Sequence, residues 1–131
     1  MKSPFPYSND NKRYHTWNYF LRKKFGQKVS KVALNGGFTC PNIDGMRGTG
    51  GCSYCLGGSG EFAGDPAQSI SQQLAAGREK LASKWGETLY MPYFQANTNT
   101  YAPLARLREL YETALAQPGV CALAIATRPD C

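Results

Sequence analysis

The residues with the clearest chemical potential are Cys40, Cys52 and Cys55, set in a C-x11-C-x2-C pattern. They lie on the stretch LNGGFTCPNIDGMRGTGGCSYCLGGSGEFAG, residues 34–64, which holds ten of the fourteen glycines and so reads as a loop. Thiolates at such spacing ligate soft metals or take part in redox chemistry. A structural zinc usually takes four ligands, often from two C-x2-C pairs, and only one pair is present. A thioredoxin-like pair opens a helix after a strand, whereas Cys55 runs into Leu-Gly-Gly-Ser-Gly. A [4Fe–4S] cluster fits better. Three thiolates hold three irons, glycine N–H groups can turn toward the sulfides, and the fourth iron stays open to a reactant.

Other reactive side chains say less. Cys121 lies in the apolar run VCALAIA and reads as a small core residue. Nothing in the pattern fixes Cys131 near a metal. His15 is the only histidine, so histidine-centred catalysis is not expected. The cysteine count is odd and the N-terminus MKSPFPYSND has no apolar signal core. Both point to reduced thiols and a cytoplasmic location rather than a disulfide framework.

The elements that must position the cysteines follow from the hydrophobic periodicity. A helix is expected from about Asn11 to Phe25, with Tyr14, Trp17, Leu21 and Phe25 as a core stripe and Gly26 as its stop. Lys28–Asn35 reads as a strand that runs into the cysteine loop. A second helix is expected from Asp65-Pro66 to Gly86, with Ile70, Leu74, Leu81 and Trp85 inward. Leu89–Gln95 is a second strand, which Pro92 would confine to an edge or a bulge. Pro103 opens a third helix with Leu104, Leu107, Tyr111 and Leu115 inward. Val120–Ala126 then reads as a continuous strand buried on both faces.

This order, β-α-β-α-β behind an N-terminal helix, predicts an α/β fold with a parallel sheet. Ligands bind such sheets at the carboxyl ends of the strands. Three polar segments emerge there: the cysteine loop, Gln95–Thr100 and Thr127–Asp130. Arg128 and Asp130 could contact a carboxylate or substrate, or simply form an ion pair at the strand's end. Since a parallel sheet needs both faces covered and no helix follows the third strand, the chain is expected to be the front of a longer domain or to be completed by another chain.

The chain has 131 residues, 42% hydrophobic and 18% charged, which is the balance of one globular domain. No apolar run approaches the roughly 18 residues of a membrane helix, so no membrane partner is expected. The net charge of +6 is concentrated in residues 1–50, where nine Lys and Arg face two Asp. That end can attract RNA or another anionic partner, or be a solvated helix face.

Together, Cys40-x11-Cys52-x2-Cys55 and Tyr54 resemble the cluster motif of the radical S-adenosylmethionine superfamily. More narrowly, NGGFTCPNIDG, GTGGCSYC, GGSGEFA, YFQANTNTYAP and IATRPDC resemble a bacterial branch related to the radical domain of the Elongator catalytic subunit. The resemblance runs from about Tyr14 to the last residue. Its first gap is longer than the superfamily's commonest C-x3-C-x2-C spacing.

The resemblance implies a partial (β/α)6 TIM-like barrel, of which residues 28–131 would be the first part and residues 1–27 a lead-in and amphipathic helix. It implies that Cys40, Cys52 and Cys55 ligate a [4Fe–4S] cluster whose open iron binds S-adenosylmethionine. An electron, from a donor such as flavodoxin or ferredoxin, would break a C–S bond and yield a 5′-deoxyadenosyl radical that abstracts hydrogen from a substrate. By the same analogy Tyr54 would lie near the adenine and Gln95, Asn97 and Asn99 would face the methionine or ribose, with Arg128 a candidate cofactor contact. The rival reading is a small zinc-binding module that binds RNA through its basic end, without catalysis.

Overall fold

The computed structural model describes residues 4–6, 8, 11–53 and 63–131. Helices and strands alternate: α1 (Trp17–Phe25), β1 (Val29–Leu34), α2 (Ile70–Trp85), β2 (Leu89–Phe94), α3 (Leu104–Leu115) and β3 (Ala124–Ile125). The strands form one parallel sheet in the order β1-β2-β3. No helix among the described residues is long and apolar enough to cross a membrane.

Local capping chemistry moves two helix starts inward from the expected positions. Asn11 has φ 61°, outside the right-handed helical region. α1 begins only after Thr16, whose hydroxyl accepts from the Tyr19 N–H at 3.1 Å. Asp65 does not cap α2 but closes its own turn, accepting from the Ala67 N–H at 2.9 Å. The cap is Ser69, in a reciprocal box with Gln72 at 2.9 and 3.2 Å.

One sheet face carries the main core. Val32, Leu34, Tyr90 and Phe94 pack against Ile70 and Leu74 of α2 and Leu110 and Ala114 of α3. Leu34 and Phe94 are completely buried, each contributing about 1.5–3 kcal/mol of hydrophobic stabilisation. Gly77 lets α2 lie close, since a Cβ there would fall 2.4 Å from Val32 Cγ1. On the opposite face Val29 and Met91 pack on Leu21, with Phe25 beside them.

Several side chains expected inside are outside. Tyr14 and Trp17 are 63% and 59% exposed, because only the side of α1 bearing Leu21 and Phe25 meets the sheet. Trp17 stacks on Phe20 instead, centroids 5.3 Å apart. Leu104 and Leu115 also face outward, and the inward stripe of α3 is Leu107, Leu110, Tyr111 and Ala114. Trp85 is half exposed, with the Lys28 ammonium 3.9 Å from a ring centroid.

Pro92 does not mark an edge: β2 is the central strand and Pro92 is fully buried. The neighbours Tyr90 and Phe94 direct backbone bonds toward the third strand segment, through Gly119, Cys121 and Ala126. By the alternation of a parallel ladder, Pro92 turns its donorless nitrogen the same way. There the expected continuous strand is interrupted. Tyr90 bridges Val120 while Tyr93 pairs with Ala124, so three steps along β2 match four along its partner. The result is a one-residue bulge opposite the proline. Residues 120–126 are partly exposed rather than buried on both faces.

Candidate functional site

The carboxyl ends of the three strands converge on a cavity of about 330 Å³, which bears Cys40, Cys52, Gln95, Asn97 and Arg128 on its walls. Each wall is one post-strand segment. The sequence placed the site on this rim, and the geometry brings five of its eight named residues together. Tyr54 and Cys55 lie outside the described residues, as do Gly57, Gly58 and Gly60.

The cysteine loop is rooted by Gln73 of α2. Its buried side chain accepts from the Asn35 N–H at 2.8 Å and donates to the Asn35 carbonyl at 2.9 Å, continuing the backbone pairing of β1 beyond its end. The loop then folds on its own main chain. Cys40 O accepts from Ile43 and Asp44 at 2.8 and 3.0 Å, and Pro41 O from Arg47 at 2.8 Å. Gly51, with φ 71°, supplies the left-handed turn just before Cys52.

Each of the two described thiols of the motif receives a side-chain donor. The Thr98 hydroxyl donates to Cys40 Sγ at 3.2 Å, and Asn42 Nδ2 donates to Cys52 Sγ at 3.0 Å. The Arg128 guanidinium lies 3.9 Å from Cys40 Sγ. The Thr98 bond, aided by a backbone N–H at Asn42 and by Arg128, holds the Cys40 thiol below its ordinary range against the opposing cost of burial. Cys121 shows the reverse, its thiol pushed up by desolvation.

Arg128 forms the ion pair that was one of its two expected roles, with bonds of 2.6 and 3.0 Å to the two oxygens of Asp130. Asp130 also lies 3.7 Å from Arg47 of the cysteine loop. One carboxylate thus joins the first and third walls.

Asn97 lines the cavity in a left-handed conformation, φ 62°, and donates to Phe38 O at 2.7 Å. Asn99 is elsewhere. It is completely buried below the rim, donating to Asn97 O at 3.2 Å and Ala126 O at 3.0 Å. The Tyr111 hydroxyl donates to its carbonyl. Among the described residues, the side-chain oxygens of Asn97 and Asn99 are buried without a partner. Thr98, Asn42 and Gln73 were not singled out from sequence. Thr98 was legible only as a polar residue beside two asparagines, and nothing linear pairs Gln73 with Asn35.

The donor set suits a thiophilic metal. Two thiols meet in one cavity, both already solvated by N–H or O–H donors, and among the described residues no carboxylate or imidazole is on the wall. No group of three His, Cys, Asp or Glu gathers among the described residues; the motif's third thiol is Cys55.

Comparison with known proteins gives uncharacterised relatives. The chain is 52% identical over 132 residues to the uncharacterized protein YtqA of Bacillus subtilis, covering 100% of this chain and 41% of that protein. It is 41% identical over 111 residues to the protein YhcC of Escherichia coli, with 85% and 35% covered. It is 32% identical over 118 residues to the uncharacterized protein MJ0486 of Methanocaldococcus jannaschii, with 88% and 35% covered. No family model and no solved structure matches. The chain thus spans less than half the length of the curated relatives it matches, and nearly all of its own length has a counterpart in the Bacillus protein.

Proposed function

We propose that the chain is the cluster-binding part of a radical S-adenosylmethionine enzyme, the first half of a partial (β/α)6 barrel. The observation that carries this reading is the meeting of Cys40 and Cys52 with Gln95, Asn97 and Arg128 around one cavity at the carboxyl end of a parallel sheet. Cys40, Cys52 and Cys55 hold a [4Fe–4S] cluster. When bound, that group supplies one electron to split S-adenosylmethionine into methionine and a 5′-deoxyadenosyl radical, which takes hydrogen from the substrate.

The chain's own residues hold and orient. Thr98 and Asn42 donate to the ligand sulfurs, and Asn97, in a left-handed turn beside the cavity, braces the cysteine loop by donating to Phe38 O. Gln95 and Asn97 line the cavity where the methionine and ribose ends of the cofactor would lie, and by the resemblance Tyr54 would lie near the adenine. Arg128 supplies the cation nearest the cavity for the cofactor's carboxylate. Asn99 works from beneath by fixing the Asn97 and Ala126 carbonyls. A low-potential donor of the flavodoxin or ferredoxin class delivers the electron. RNA is the substrate class we favour, supported by the basic first fifty residues and by the exposed Trp17–Phe20 stack.

Anaerobic reconstitution with iron and sulfide tests the reading. A brown protein with broad visible absorption and near-stoichiometric iron and sulfide is expected, and Cys52→Ala should lose the colour. Uptake of one zinc ion and no cluster would instead favour the zinc-stabilised RNA-binding module.

A further inference from the structure

We infer that Thr98 is a positioning residue for the metal centre: its hydroxyl, donating to the Cys40 thiolate, sets how readily a cluster held there accepts an electron. This rests on the cluster reading above.

The contact is fixed from both sides. Thr98 is 4% exposed, so bulk water does not compete for its hydroxyl. Its N–H donates to Thr39 O at 3.2 Å, and its carbonyl accepts from Tyr101 N–H at 3.1 Å. Cys40 is held by the two N–H groups, of Ile43 and Asp44, that its carbonyl accepts. The left-handed residue Asn97 immediately before Thr98 turns the chain at this point. The 3.2 Å approach of oxygen to sulfur therefore belongs to the folded backbone and not to a freely rotating side chain.

Thr98 is also the nearer of the two side-chain donors to this sulfur. Arg128 is farther, at 3.9 Å, and its charge is matched by Asp130 through two hydrogen bonds. One-electron reduction by a flavodoxin- or ferredoxin-class donor oxidises that donor and adds one negative charge to the cluster and its sulfurs. A donor fixed at a ligand sulfur stabilises the added charge more than it stabilises the oxidised state, and so raises the reduction potential. Removing the hydroxyl while keeping the side-chain shape should lower that potential.

The test compares reconstituted wild-type, Thr98→Val and Thr98→Ser proteins by iron and sulfide content and by redox titration followed by electron paramagnetic resonance. Thr98→Val should load the cluster and show a more negative midpoint potential. Thr98→Ser, which keeps the hydroxyl, should return to the wild-type value. Equal midpoints for wild type and Thr98→Val overturn the inference, as does a Thr98→Ser shift equal to that of valine. If Thr98→Val does not load, Thr98→Ala carries the comparison; failure of both to load while Thr98→Ser loads overturns it in favour of a folding role. Wild-type protein without iron and sulfide overturns the cluster reading itself, and metal analysis separates that outcome from equal midpoints.

Discussion

Asn99 grips Ala126 twice: its backbone N–H and its side-chain Nδ2 both donate to the Ala126 carbonyl, each at 3.0 Å. The loop after β2 is thereby fastened to the end of β3, where only a two-residue ladder joins the strands. Asn99→Ala should destabilise the fold by roughly 1–3 kcal/mol, the cost of leaving buried acceptors short of a donor. Asn99→Asp should cost more at neutral pH, because it faces carbonyls with a buried charge and no donor. Acidification should narrow the gap between the two variants in urea unfolding.

Gly77 of α2 lies directly against Val32 of the sheet. Alanine would gain about 1 kcal/mol of helix propensity. Its Cβ would meet the stiff, buried Val32 side chain at 2.4 Å, and such overpacking costs roughly 1–3 kcal/mol. Gly77→Ala should therefore lower the unfolding midpoint. A higher midpoint would show that α2 can lift without loss.

The Asp130 carboxyl is held below the usual carboxylate range, chiefly by its hydrogen bonds to Arg128, with Arg47 adding to the effect. A depressed folded pKa means that the unfolded chain binds the proton more readily. The stabilisation is present above the unfolded pKa and lost as pH falls through the lower folded one. Asp130→Asn should be less stable than wild type at neutral pH, and the difference should vanish on acidification. A pH-independent difference would assign the effect to packing.

On the proposed RNA reading, the Trp17–Phe20 stack is the face expected to contact the nucleic acid. α1 carries Arg22, Lys23 and Lys24 in its last turn, and Lys24 lies 5.8 Å from the Phe20 centroid. Base stacking on an aromatic side chain is worth about 1–3 kcal/mol. Trp17→Ala should weaken single-stranded RNA binding accordingly and leave the visible spectrum of iron- and sulfide-reconstituted protein unchanged. Binding insensitive to both Trp17→Ala and salt would dismiss this face.

Much of the fold was legible because its signals are local. Gly26 and Gly86 stop helices, and β1 and β2 follow apolar runs whose crossovers demand parallel pairing. The meeting of three polar segments followed from topology. Helix faces were less legible: Leu104 and Leu115 fit the period as well as Leu110 and Ala114 do, and only tertiary packing chooses between them. Asn99 could not be told from Asn97 by type, since one lines the cavity and the other fastens a carbonyl beneath it. Thr98 was hidden because its partner lies 58 positions away.

The bulge between Val120 and Ala124 acts as a phase shifter. An alternating strand assigns each residue to a face by parity, so one inserted step exchanges the assignment for everything beyond it. Parity, as much as composition, therefore governs how Ala126, Thr127 and Arg128 arrive at the rim. Deleting one residue there would leave the composition of IATRPDC untouched, yet would turn its message over.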